Sequence, residues 1–177
     1  MKFYLKTNIA YWLHTILTKD NYLQSKMKLE IKGRNLTKLA YFLPETKKYH
    51  KDIFYYFESM ILKKIDIKII CRSSVFDIYN SYIKHSGIII SDKELNKWGL
   101  PIESTARQIQ SLDIDALIDL SPYLDLVHAH LIRVSRVPVR IGFKTKRAKD
   151  IFNIILYNEN KKYIDQYNYI NQILGIA

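Results

Sequence analysis

Two short runs hold the side chains best placed for chemistry. Asp119 and Ser121 close an apolar run that begins at Ala116, and Arg140 and Gly142 alternate with Val139, Ile141 and Phe143. A carboxylate at the end of an apolar strand can accept a hydrogen bond from a sugar hydroxyl; it can equally hold the amides of its own loop. Ser121-Pro122 reads as an N-cap followed by proline at the first helical position. Free N–H groups there, with the helix dipole, can hold a phosphate or carboxylate, although capping alone accounts for both residues. Arg140, beside a turn at Gly142, is a guanidinium suited to bidentate capture of an anion. If both strands run parallel, their ends open on one side and Ser121 and Arg140 converge on one anionic group. Lys144 leads into Lys146, Arg147 and Lys149, a basic loop of the kind that is usually a solvated face.

The elements that must position these residues follow from hydrophobic periodicity. Leu39–Leu43 is a short apolar run stopped by Pro44, a first strand. Ile53, Phe54, Phe57, Ile61 and Leu62 trace a helical face; Asp66–Cys71 is a second strand and Val75–Ile83 a second helix. Gly87–Ile90 is a third strand, followed by an irregular crossing over Lys93–Glu103 and a short helix at Thr105–Ser111. Asp115–Leu120 is the fourth strand, Tyr123–Ser135 a helix and Val139–Phe143 the fifth strand. Phe152–Tyr157 fits a sixth strand or a helix, and Lys161–Leu174 is a helix stopped by Gly175. Strands alternating with helices predict an α/β fold: one Rossmann-like, doubly wound, mostly parallel sheet of five or six strands over residues 38–177.

Residues 1–37 read as a basic, amphipathic helical extension. Ile9, Trp12, Leu13, Ile16 and Leu17 make one apolar stripe among lysines, which packs on the domain or gives peripheral membrane contact through residues 9–17. The net charge is +11, and its distribution is uneven. Residues 1–38 carry eight Lys/Arg against two acids, and the rest twenty against fifteen, so partners include polyanions, nucleic acid among them. The single Cys71 cannot form an internal disulfide and no metal-ligand spacing exists. His128 and His130, two apart on a helix, are not a metal pair. No phosphate-binding glycine motif and no nucleophile elbow occur, so no cofactor and no metal are expected. No signal peptide or membrane span is read, and the expected location is the cytoplasm, with the inner membrane face as the peripheral site.

The run Asp115-Ala116-Leu117-Ile118-Asp119-Leu120, a helix, then Val139-Arg140-Ile141-Gly142-Phe143 resembles the N-terminal half of glycosyltransferase family nine, the heptosyltransferase-like enzymes of bacterial envelope polysaccharide synthesis. The likeness continues at Phe152-Asn153 and through Tyr163, Tyr169 and Leu174-Gly175-Ile176, like the segment joining that family's two domains. It implies the acceptor-side half of a two-domain enzyme whose sugar-nucleotide donor binds mainly to the C-terminal half; this sequence stops at Ala177, where that half would begin. The family's first strand leads to a Gly-Asp pair whose Asp is the base. Here the loop runs from Pro44 to Asp52 without glycine, leaving Asp52 or Glu45 as the counterpart.

The expected function is therefore a glycosyltransferase-like acceptor-side domain, non-catalytic by itself. Its ligand would be an anionic glycan, a glycolipid or a protein partner, held at Asp119, Ser121, Arg140, Gly142 and Lys144. Two alternatives remain: a basic RNA- or ribosome-associated protein on the same scaffold, and a transferase completed by a second chain.

Overall fold

A computed structural model describes residues 36–60, 65–83, 87–157 and 162–176. Six strands form one sheet: β1 (Lys38–Phe42), β2 (Asp66–Arg72), β3 (Gly87–Ile90), β4 (Ala116–Asp119), β5 (Val139–Phe143) and β6 (Ile154–Leu156). Their spatial order is β3-β2-β1-β4-β5-β6, and every neighbouring pair is parallel. The chain winds outward from β1 through β2 to β3, then returns to β4 and winds the other way. β1 and β4 therefore flank the topological switch point of a doubly wound sheet.

Helices cover both faces. Leu39, Tyr41 and Leu43 point to the layer of α1 (His50–Glu58), α2 (Phe76–Ile83) and α5 (Tyr163–Leu174). Ala40, Phe42 and Leu117 point to the layer of α3 (Glu103–Gln110) and α4 (Leu126–Val134). This double covering explains why β1 and β4 read as continuous apolar runs rather than alternating ones. Buried tyrosines fill the first layer: the Tyr41 hydroxyl lies 3.2 Å from that of Tyr56, which donates to Asn171 at 2.8 Å. Tyr167 donates to the Leu120 carbonyl at 3.1 Å, tying α5 to the end of β4. Asp115 accepts the N–H groups of Thr37 and Lys38, both at 3.0 Å, which pins the start of β1 beside β4. Cys71 is buried, and burial pushes its thiol up to about 11, so it is an inert core residue.

Several local expectations change. The helix expected from Tyr123 begins at Leu126, and its N-cap is Asp125, whose carboxylate accepts the N–H groups of Val127 and His128. Ser121 therefore caps nothing; a single capping carboxylate at the true start outweighs the Ser-Pro signal. Residues around Phe152–Tyr157 resolve as a strand, and α5 ends on Gly175 at φ 70°, the left-handed cap its type predicts. Gly142 lies inside β5 rather than at a turn. The stripe from Ile9 to Leu17 lies outside the described residues. Among the described residues no helix is long and apolar enough to cross a membrane.

Gly142 has a packing reason to lack a side chain. A Cβ there would fall on the buried ring of Phe152. Gly142→Ala should therefore destabilise the fold by about 1–3 kcal/mol, the usual cost of overpacking. Trimming the ring in Gly142→Ala/Phe152→Leu should recover part of the loss; chemical denaturation of the two variants checks this, and equal midpoints for wild type and Gly142→Ala would contradict it.

Candidate functional site

In a parallel sheet the first polar residues after each strand share one rim. Here that rim holds Glu45 after β1, Arg72 at the end of β2, Asp92 after β3 and Tyr123 to Asp125 after β4, lining a crevice of about 610 Å³. The crevice opens at the carboxyl ends of the strands, where open α/β sheets bind ligands.

Arg72 organises it. Its side chain is only 12% exposed, with Nη1 3.0 Å from Glu45 Oε1 and Nη2 2.6 Å from Asp92 Oδ1, so one guanidinium joins the ends of β1, β2 and β3. Around the floor, Asn96 Oδ1 accepts the N–H groups of Trp98 and Leu100, holding the turn in which Gly99 takes φ 76°. Burial, and then the Asp125 charge, push the Glu45 carboxyl above its ordinary range, with Arg72 opposing them. Tyr123, on the rim, has its hydroxyl raised by burial first and by Asp125 next.

Behind the crevice lies a fully buried histidine. His128 stands on the first turn of α4, its ring 4.7 Å from that of Phe42. Nδ1 is 3.2 Å from Asp119 Oδ1 and 3.2 Å from Ser121 Oγ, while Asp119 Oδ1 also accepts the Ser121 N–H at 2.9 Å. Nε2 faces Asp125 Oδ2 at 3.9 Å, too far for a hydrogen bond. Burial by itself would lower the imidazole, but the carboxylates of Asp125, Asp119 and Glu45 together outweigh it and raise it to about 9. With Asp119 in hydrogen-bond reach of one ring nitrogen and Asp125 facing the other, its surroundings favour the protonated ring. This is not a nucleophile-activating triad. Serine and aspartate meet the same ring nitrogen, whereas a relay needs them on opposite ones.

The expected site residues divide accordingly. Glu45 lines the crevice. Asp119 and Ser121 lie just behind it, spent on each other and on His128; of the two readings of Asp119, the geometry shows the loop-amide bond. Asp52 does not line the crevice; it sits in the first turn of α1, close enough to oppose ionisation of Tyr167. Arg140 is not brought to Ser121. It pairs in register with Leu117, two residues before Asp119, about 7 Å toward the amino end of the sheet. Burial first, and then Arg133, lower its guanidinium. Lys144 is exposed, its Nζ 4.5 Å over the Tyr157 ring. Among the described residues no group of three or more His, Cys, Asp or Glu could hold a metal.

Arg72, Asp92, Tyr123, Asp125 and His128 were not singled out as site residues from sequence. Their signal is positional: each stands at or just past the end of a strand, or one helical turn further on.

His128 gives a pH signature of known sign. Its folded value is raised above the ordinary 6.5 to about 9, so its stabilisation is complete below 6.5 and is lost as pH rises through about 9. The stability advantage of wild type over His128→Asn should shrink by about 3 kcal/mol across that window. Urea unfolding at a series of pH values measures it, and a constant difference would mean the imidazole is neutral in the fold.

Set beside protein-family models, curated proteins and solved structures, the chain matches none.

Proposed function

We propose that this chain is a glycan-acceptor-binding domain, the acceptor-side half of a glycosyltransferase-like assembly. The observation that carries the reading is the crevice at the switch point, where Glu45 and Asp92 share one guanidinium and Asp125 lines the wall. Carboxylates accept hydrogen bonds from hydroxyls, and Arg72 donates to hydroxyl oxygens, so the crevice suits a group that does both. A hydroxylated sugar ring is such a group. A phosphate is not, because it offers the Glu45 and Asp92 carboxylates little to accept and is repelled by their charge. The recognised moiety is then the neutral ring of the glycan, with any anionic part lying outside toward the basic surface.

Glu45 is the candidate base. A carboxyl held above its ordinary range by burial and a neighbouring acid is better able to take a hydroxyl proton as that oxygen attacks a donor sugar. The turn after β1, Pro44 to Tyr49, contains no glycine and makes no pyrophosphate cradle. The donor must therefore be presented by another unit, and these 177 residues alone bind acceptor without transferring to it.

Heteronuclear NMR with a panel of neutral mono- and disaccharides tests this. Shifts should gather on Glu45, Arg72, Asp92 and Asn96. Glu45→Gln should weaken binding roughly tenfold, the worth of one charged hydrogen bond, while Asp52→Asn and Lys146→Ala leave it unchanged. Shifts confined to the Lys144–Lys149 loop, appearing with RNA or inorganic phosphate rather than sugar, would replace this reading with a polyanion-binding one.

A further inference from the structure

The crevice at the switch point has two unlike sides. The strand order β3-β2-β1-β4 sets Asp92, Arg72 and Glu45 in a row, with the segment that follows β4 beyond them. The first side is polar, two carboxylates joined by one guanidinium. The second is largely apolar, with Tyr123, Leu124 and Leu126 around the single acid Asp125. Six large apolar or aromatic side chains are exposed among the described residues, and of these Tyr123, 36% exposed, is the one that lines the crevice. Its place is set by the fold. Two residues earlier the Ser121 N–H donates to Asp119 at 2.9 Å, and two residues later Asp125 caps α4. The Tyr123 hydroxyl lies close to the Glu45 main chain, so the ring stands beside the candidate base.

We propose that Tyr123 is the specificity-determining residue of this crevice, a platform for an uninterrupted face of axial C–H bonds on the acceptor sugar, whose hydroxyls meanwhile reach Glu45 and Asp92. The inference rests on the glycan reading of the crevice and narrows it to one class of ring, a pyranose with no axial hydroxyl on its stacking face. Such a ring is itself two-sided. Its equatorial hydroxyls form a polar rim, while a face bearing only axial hydrogens gains by leaving water for an aromatic surface. Tyrosine suits that face, because it offers a broad rigid area with few torsions to order. Burial and the carboxylates of Asp125, Glu45 and Asp119 keep the phenol neutral, so the platform adds no charge of its own. An axial hydroxyl turned onto the ring would lose its water without gaining a partner, a costly outcome for a polar group. That cost is what excludes the wrong epimer.

NMR titration of the full 177-residue chain with methyl β-glucoside and methyl β-alloside tests the proposal. The two sugars differ at one carbon, where the alloside turns a hydroxyl onto a face that otherwise carries only axial hydrogens. The glucoside should bind roughly three- to tenfold more tightly, the range expected of one aromatic contact. Its axial protons should also move upfield under the ring current of Tyr123. Tyr123→Phe should keep both the preference and the shift, whereas Tyr123→Leu should remove both with an unchanged circular dichroism spectrum. Should Tyr123→Leu lose its fold, the two sugars compared on wild type decide alone. Equal affinities, or binding without the upfield shift, overturn the platform and leave the glycan reading standing. Binding of neither sugar overturns both. A nucleoside that displaces the glucoside from Tyr123 would give the ring to a planar base and overturn the proposal as well.

Discussion

Strands β1 and β4 run through the middle of the molecule with both faces covered, and every residue from Leu39 to Leu43 is fully buried. That constraint decides where chemistry can sit. Nothing polar survives along the length of such strands unless it is paired, so reactive groups are confined to the ends. The reversal of winding between β1 and β4 leaves a gap between the connections there. The loops after β1, β2, β3 and β4 close around that gap, and Arg72 links three of those strand ends through two carboxylates. Arg72 is largely buried while its partners reach solvent, so the bridge ties the strand ends at the mouth of the crevice rather than in the core.

The buried histidine plays a supporting part. His128 holds Asp119 and Ser121 to the first turn of α4, and Asp125 caps that same helix while one of its oxygens faces the imidazole. The segment Ser121 to Asp125, one wall of the crevice, is thereby fixed at both ends. The wall is held by polar contacts as well as by packing, through His128, Asp119 and Asp125. The two groups lie apart: His128 is buried behind the wall, and the Arg72 guanidinium lines the crevice with Glu45 and Asp92.

The strands were legible in the sequence because parallel strands buried on both faces leave near-continuous apolar runs; Leu39–Leu43 and Val139–Phe143 were placed within a residue. Helix starts were less legible. Ser121-Pro122 carries a strong capping signal, yet Asp125 takes the role, since which of two competent caps wins depends on where the loop must travel. The site was legible in part. Glu45 could be found as the acid after the first strand, but Asp52 competed with it equally until the turn of α1 placed Asp52 away from the crevice. Arg140 misled because its distance from Gly142 suggests a strand end, whereas register with Leu117 places it near the amino end. Arg72 and Asp92 stand 20 residues apart at the ends of consecutive strands, and Glu45 joins them only because β1 lies beside β2, which no local pattern encodes.

The surface basicity and the acidic crevice need not recognise the same part of a ligand. The basic residues Lys144, Lys146 and Lys149 lie on an exposed loop after β5 that does not line the crevice. Under the proposed reading, a glycan carrying charge away from its acceptor ring would satisfy both regions at once. The account therefore turns on what occupies the space beside Arg72. The direct measurement is diffraction from crystals soaked in a neutral disaccharide. The account predicts ring hydroxyls within hydrogen-bond distance of the Glu45 and Asp92 carboxylates, with the Arg72 bridge intact. Density for the sugar elsewhere, or an anion seated on Arg72 with Glu45 and Asp92 displaced, would contradict it.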